Sequence, residues 1–209
     1  MRRAVGAADR GGGLVKRSIF VLLALCVCLS GCAMLPPRQA ADGLAWSGEW
    51  VTVGNVIGVE TPGGLEPLEN NDALSASGMY YAAWSMGEAV PYTNAGGEAS
   101  ELYDAQLYLL LAGYDAAEKA EDAAAEWMEM ASERYEIEGA FADASFNGQP
   151  FEIAAYTCAS GTNPYARGAS AFGVYRNYAI SVEVQCQEGS GVDPRAVLED
   201  FLAGCHYAV

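Results

Sequence analysis

The chain has 209 residues, of which 27 are Asp or Glu and 11 are Lys or Arg, giving a formal net charge of −16. That balance repels phosphate backbones and anionic lipid head groups, and it argues against nucleic-acid binding. A single histidine, His206, leaves little for an imidazole-based zinc site or a Ser-His-Asp array.

The first residues are distributed differently from the rest. Arg2, Arg3, Arg10, Lys16 and Arg17 precede a mostly apolar run, Ser18–Leu29. The run is too short to cross a bilayer as a helix, which takes roughly 20 residues. A basic leader, a short apolar stretch and small residues before a cleavage point form the layout of a secretory signal peptide. Leu29-Ser30-Gly31-Cys32 resembles the lipobox of bacterial lipoproteins at each of its positions. The resemblance implies that residues 1–31 are removed and that a diacylglyceryl group is attached to the Cys32 sulfur. The expected location is then the extracytoplasmic face of the cell membrane, reached through the lipid anchor. Residues 1–31 hold five of the basic groups and one acidic group, so the remainder keeps six and 26, a net charge near −20. Residues 32–45, with Pro36-Pro37, read as a tether. Residues 46–209 read as one extracytoplasmic domain, long enough to bury a core.

Beyond the tether, Trp50–Glu60 is rich in β-formers and broken by Gly54-Asn55, which predicts a strand pair or a bent strand. Pro62–Asp72 reads as a loop. At the end of Leu74–Met86, Tyr80, Ala82, Trp84 and Met86 alternate onto one face. Pro91–Ser100 reads as a loop. Leu107–Ala112 is a short continuous apolar run, suited to a buried strand. Tyr114–Tyr135 carries Ala116, Ala120, Ala123, Ala124, Trp127, Met128 and Ala131 at helical spacing. Asp115, Glu118, Asp122, Glu126, Glu129 and Glu133 fall opposite, so this is an amphipathic helix with a solvated acidic face. Asn147-Gly148 supplies the positive φ of a type I′ hairpin turn. A second hairpin is expected around Arg176-Asn177, with Ile180, Val182, Val184 and Cys186 inward and Ser181, Glu183, Gln185 and Gln187 outward. Asp193 and Pro194 open a short helix that buries Val197, Leu198, Phe201 and Leu202 and stops at Gly204.

Strands joined by short turns, one long helix and a short final helix predict an α+β fold. An antiparallel sheet has the two helices packed on it. With "DPRAVLEDFLAGCHY" closing the chain, this order of elements resembles PsbP-like domains. The resemblance implies a sandwich that serves in binding or assembly more than in catalysis, and it carries over no site residues.

Six cysteines reduce to three once Cys26 and Cys28 leave with the signal segment and Cys32 is acylated. Outside the cytoplasm, Cys158, Cys186 and Cys205 allow one disulfide. Cys158 and Cys186 both end strands, which favours their pairing; Cys186–Cys205 is the next choice, and the third pairing or no bond is the remainder. No Gly-x-Ser-x-Gly elbow, phosphate-cradling loop or dinucleotide fingerprint is present. No catalytic residue, metal ligand or cofactor site is therefore assigned. The expected function is a non-catalytic binding or accessory module for an unknown protein or small ligand. The alternatives are a surface hydrolase using paired carboxylates and a calcium-binding module built on Glu66–Asp72 or Asn94–Asp104.

Overall fold

The computed structural model describes residues 45–47, 50–53, 56–68, 79–94, 96–158 and 163–207. The signal segment, Cys32 and the tether as far as residue 44 lie outside these residues. The chain runs β1 (Ala45–Ser47), β2 (Trp50–Val53), β3 (Ile57–Glu60), β4 (Glu66–Pro67), β5 (Met79–Met86), β6 (Val90–Thr93), β7 (Ala99–Leu102) and β8 (Ala105–Gly113). The long helix α1 (Ala117–Arg134) follows, then β9 (Tyr135–Ile137), β10 (Ala142–Phe146), β11 (Gln149–Cys158), β12 (Tyr165–Tyr175) and β13 (Tyr178–Gln187). Helix α2 (Pro194–Ala203) and β14 (Cys205–Tyr207) end the described chain.

The main sheet has the order β10-β11-β12-β13-β8-β5-β4, with β9 sharing the outer edge of β11 beyond β10. A small sheet has the order β1-β2-β3-β14, and β6 pairs with β7. The strand–strand pairings are antiparallel. The expected α+β architecture is therefore present. Trp50–Glu60 forms a strand pair, and Pro91–Ser100, expected as a loop, is most of the β6–β7 hairpin.

Period-two alternation sorts the side chains. Trp84, Leu107, Leu109, Ile180, Val182 and Val184 point to one face, where Leu198, Phe201 and Leu202 of α2 and Ile57 and Val59 of β3 cover them. Trp84 and Phe201 meet edge to face at 4.9 Å between centroids, and both are fully buried. Helix α1 packs on the other face, over β12 and β13. It buries Ala120, Ala123, Ala124 and Ala131, small residues that let it lie close, while Trp127 and Met128 stay partly exposed. Its acids Glu118, Asp122 and Glu126 are solvated.

Two joints fix α2. It begins as expected, with the Asp193 carboxylate accepting from the Arg195 and Ala196 backbone N–H groups. It stops at Gly204, although not through a left-handed turn, since φ there is −83°. A Cβ at that position would run into the Glu60 carbonyl, and Glu60 N–H donates to the Gly204 carbonyl at 2.9 Å. The second joint is the β10–β11 turn, where Asn147 (φ 51°) and Gly148 (φ 80°) form the expected hairpin. Asn147 Nδ2 also donates to the carbonyls of Ala203 at 2.8 Å and Cys205 at 2.7 Å.

The expected disulfide is not formed, and all three thiols are free. Thr157 pairs with Arg167 and Arg167 with Cys186, so strand β12 lies between Cys158 and Cys186. Two strand spacings are about 10 Å, beyond the roughly 7 Å that a bridge tolerates. The two thiols also point to opposite faces: Cys158 packs beside Tyr135 and Tyr156, and Cys186 lies in the core under α2. Cys186 and Cys205 share that core but sit at opposite ends of the sheet. Cys205 lies by the Asn147 turn, near the Gly173–Ile180 end of β12 and β13. Cys186 lies six residues further along β13, about 20 Å at the strand rise.

Two outcomes follow from these joints and thiols. Asn147→Gly keeps the turn but loses both side-chain bonds, so it should destabilise the fold by about 1–3 kcal/mol in urea unfolding. Asn147→Ala should cost about 1–2 kcal/mol more, because it also strains the left-handed position. With an aromatic disulfide reagent near pH 8, Cys158 alone of the three thiols should react in the folded chain. Burial pushes the Cys205 thiol up to about 12 and the Cys186 thiol up to about 11, and Cys205 Sγ donates to the Phe201 carbonyl. Denaturation should release all three.

Candidate functional site: a carboxylate ringed by tyrosines

The face of the sheet that meets α1 is not uniformly apolar. One row across the strands reads Ala154, Ser170, Glu183, Tyr108 and Ala83, and the next reads Tyr156, Gly168, Gln185, Gln106 and Ser85. Sequence periodicity places Glu183 and Gln185 outward, and so they are. Outward at this point means beneath the end of α1, which packs mainly over β12 and β13, and Glu183 is only partly exposed.

Glu183 Oε1 accepts from the Tyr135 hydroxyl at 2.7 Å, the Tyr156 hydroxyl at 2.5 Å and Gln185 Nε2 at 3.0 Å. Gln185 Nε2 lies 3.3 Å from the Tyr135 hydroxyl as well. The Tyr135 and Tyr156 rings stack with centroids 4.0 Å apart and planes within 9°. On the other side Tyr108, the cross-strand partner of Glu183, stacks on Tyr81 at 5.9 Å and donates to Gln106 Oε1 at 2.5 Å. Two phenols and one amide thus hold the carboxylate, and a second pair of phenols with a second amide lies beside it on β5 and β8.

Each part has a local cause. Tyr135 ends α1, its N–H donating to the Ala131 carbonyl, and begins β9, whose pairing with Cys158 brings its ring over the sheet. Tyr156 is on β11, and strand β12 separates it from Glu183 on β13. Gly168 of β12 removes the obstacle, because a Cβ there would collide with the Tyr156 phenol and with the Val184 carbonyl. The ring therefore lies flat across β12 and its hydroxyl reaches β13 (a close approach that only glycine permits).

Burial, and then the charge of Glu183, raise the Tyr135 and Tyr156 phenols well above their ordinary value. Burial does the same to Tyr81 and Tyr108, with Glu183 contributing. The Cys158 thiol is raised by burial first and by Glu183 second. These phenols stay protonated and act as donors or as aromatic surface. Arg134 stands 5.0 Å from the centroid of the Tyr135 ring. The two ion pairs among the described residues lie elsewhere, at Lys119–Asp115 and Arg195–Glu199.

Other places hold less. Among the described residues no group of three or more His, Cys, Asp and Glu could hold a metal ion. In the loop that begins at Asn94, the Asn94 side chain accepts from the Gly96 and Glu98 N–H groups and donates to Glu98. The amide and carboxylate offered there for calcium are spent on closing a turn. Of Glu66–Asp72, only residues 66–68 are described. An open groove of about 780 Å³ runs along β4 and β5, and its carboxylates Glu66, Glu88 and Glu101 are solvent-exposed. Cys205 and His206 are adjacent in sequence, but β14 turns the thiol into the core and the imidazole to solvent.

No protein-family model matches the chain, and no curated protein does. Solved structures that align with the chain include the following two. One is a crystal structure of a protein from Bacteroides thetaiotaomicron VPI-5482, with TM-score 0.47 and 8% identity over 73% of this chain. This chain spans 45% of that protein's length. The other is the solution structure of cyanobacterial PsbP (CyanoP) from Synechocystis sp. PCC 6803, with TM-score 0.48 and 12% identity. It aligns over 84% of this chain and 99% of its own. No residue or role of either protein carries over at these values.

If Gly168 exists to let Tyr156 across β12, Gly168→Ala should destabilise the protein by about 1–3 kcal/mol through overpacking. Tyr156→Phe should lose about 1.5–3 kcal/mol for a bond to a charged group. In urea unfolding the double variant should fall short of the sum, because both changes break one contact.

Proposed function

We propose that this chain is an extracytoplasmic lipoprotein, held to the cell membrane by acyl chains on Cys32, whose folded part is a non-catalytic binding or accessory module. Leu29-Ser30-Gly31-Cys32, between an apolar run and a proline-containing tether, is the observation that carries the anchoring. The thiol is the one side chain in the segment able to take a thioether lipid. Two or more acyl chains at about 0.8 kcal/mol per buried CH₂ hold stably where one does not. The net charge near −20 makes such an anchor necessary, since the surface itself is repelled by anionic lipid.

Several features support binding over catalysis. The element order resembles PsbP-like domains, a family of binding and assembly modules. The carboxylate at the centre of the polar face is tied by three neutral donors, which fixes its position and suits it to holding a partner group. The sequence offers no activated nucleophile, and the one Cys-His neighbour pair points two ways.

Cys32→Ala should leave an uncleaved precursor or release the protein from membranes. The check is partition into the detergent phase, together with mass spectrometry of the N-terminal peptide. An unchanged partition, or a native N-terminus other than acylated Cys32, overturns the anchoring.

A further inference from the structure

We infer that the tyrosine-ringed face around Glu183 is a binding site for a small organic ammonium ion. The inference rests on the reading of the folded part as a binding module and names the ligand class for it.

The two oxygens of the Glu183 carboxylate are not equivalent. Oε1 accepts all three described hydrogen bonds, from Tyr135, Tyr156 and Gln185. Among the described residues no donor reaches Oε2, and no Lys, Arg or His lies within ion-pair distance of Glu183. Glu183, Tyr81, Tyr108, Gln106 and Gln185 are each partly exposed, so solvent reaches this face of the sheet. A negative charge is held in place with its second oxygen available.

The walls decide which cation fits. A divalent metal wants several oxygen ligands, and calcium takes 6–8. Here one carboxylate stands among phenols, and no metal-holding group of acids, cysteines or histidines exists among the described residues. Aromatic rings attract cations through their quadrupoles, most effectively those that shed water easily. An alkylated ammonium matches both parts, with its charge against Oε2 and its carbon shell against Tyr108 and Tyr81. Arg134, on the ring of Tyr135, shows that this cluster already accepts a cation on an aromatic face. The negative field of the whole chain draws such an ion in.

Choline is the probe, and 3,3-dimethylbutan-1-ol is its neutral isostere. Each is titrated by calorimetry and by saturation-transfer NMR against the full-length protein in a non-ionic sugar detergent. The expected result is saturable 1:1 binding of choline, with the neutral isostere about tenfold or more weaker. Glu183→Gln keeps an oxygen that can accept from Tyr135 and Tyr156, so it should fold and should lose choline binding by a similar factor. Tyr108→Leu leaves the Oε1 bonds untouched and should weaken choline several-fold by removing the aromatic wall. Equal affinity for the two probes in the unaltered protein overturns the inference without any variant. So does choline binding unaffected by both substitutions, or no saturable binding at all. The membrane reading is checked separately on the same preparation. Acylated Cys32 with no choline binding removes this inference alone, whereas choline binding by a chain without acyl groups supports it and removes the anchor.

Discussion

The alternation of side chains along β13 divides this molecule into a core and a site. Ala179 apart, the buried residues Ile180, Val182, Val184 and Cys186 project to the side that α2 and the small sheet cover. Ser181, Glu183 and Gln185 project to the side that α1 partly covers. Because β13 is flanked by β12 and β8, the same parity spreads through the ladders to β11 and β5. A slip of β13 by one residue against β12 and β8 would put the carboxylate on the face of Trp84 and Phe201 and expel the valines. The apolar row thus enforces the register, and the register holds the polar cluster in place.

Much of this was legible in the sequence because it is local. Asn147-Gly148 marks its hairpin, the alanine stripe marks α1, and Asp193-Pro194 marks the start of α2, each through a conformational or capping preference of the residues themselves. What was not legible needed a neighbour's identity. Cys158 and Cys186 were correctly placed at strand ends, but nothing in the sequence says that β12 runs between them or that their parities are opposite. Glu183 was correctly turned away from the α2-side core, yet its surroundings depend on where α1 ends and on β9 folding back beside β11. The trace left in sequence is Gly168, a glycine inside a strand, which signals a close approach without saying by what.

The Asn147 turn illustrates how the two levels join. A side chain selected for a left-handed backbone also reaches the ends of α2 and β14, so one residue closes a hairpin and clamps the C-terminal segment. Gly204 does the reciprocal work by letting that segment touch β3. The core under α2 is closed at its rim by these contacts, and no bridge joins the three thiols.

Glu183 carries more than its hydrogen-bond donors require. A glutamine at 183 could accept from both phenols through its one carbonyl oxygen, and an amide avoids the desolvation that an ion suffers among aromatic rings. An aliphatic residue would leave the hydroxyls of Tyr135 and Tyr156, both buried, without this acceptor. The chain instead keeps a carboxylate there and turns three neutral donors onto one of its oxygens, where burial first and its charge second raise the Tyr135 and Tyr156 phenols. A fixed negative charge with one oxygen spare stabilises something other than the empty fold, and among the rings that surround it that something is a soft cation.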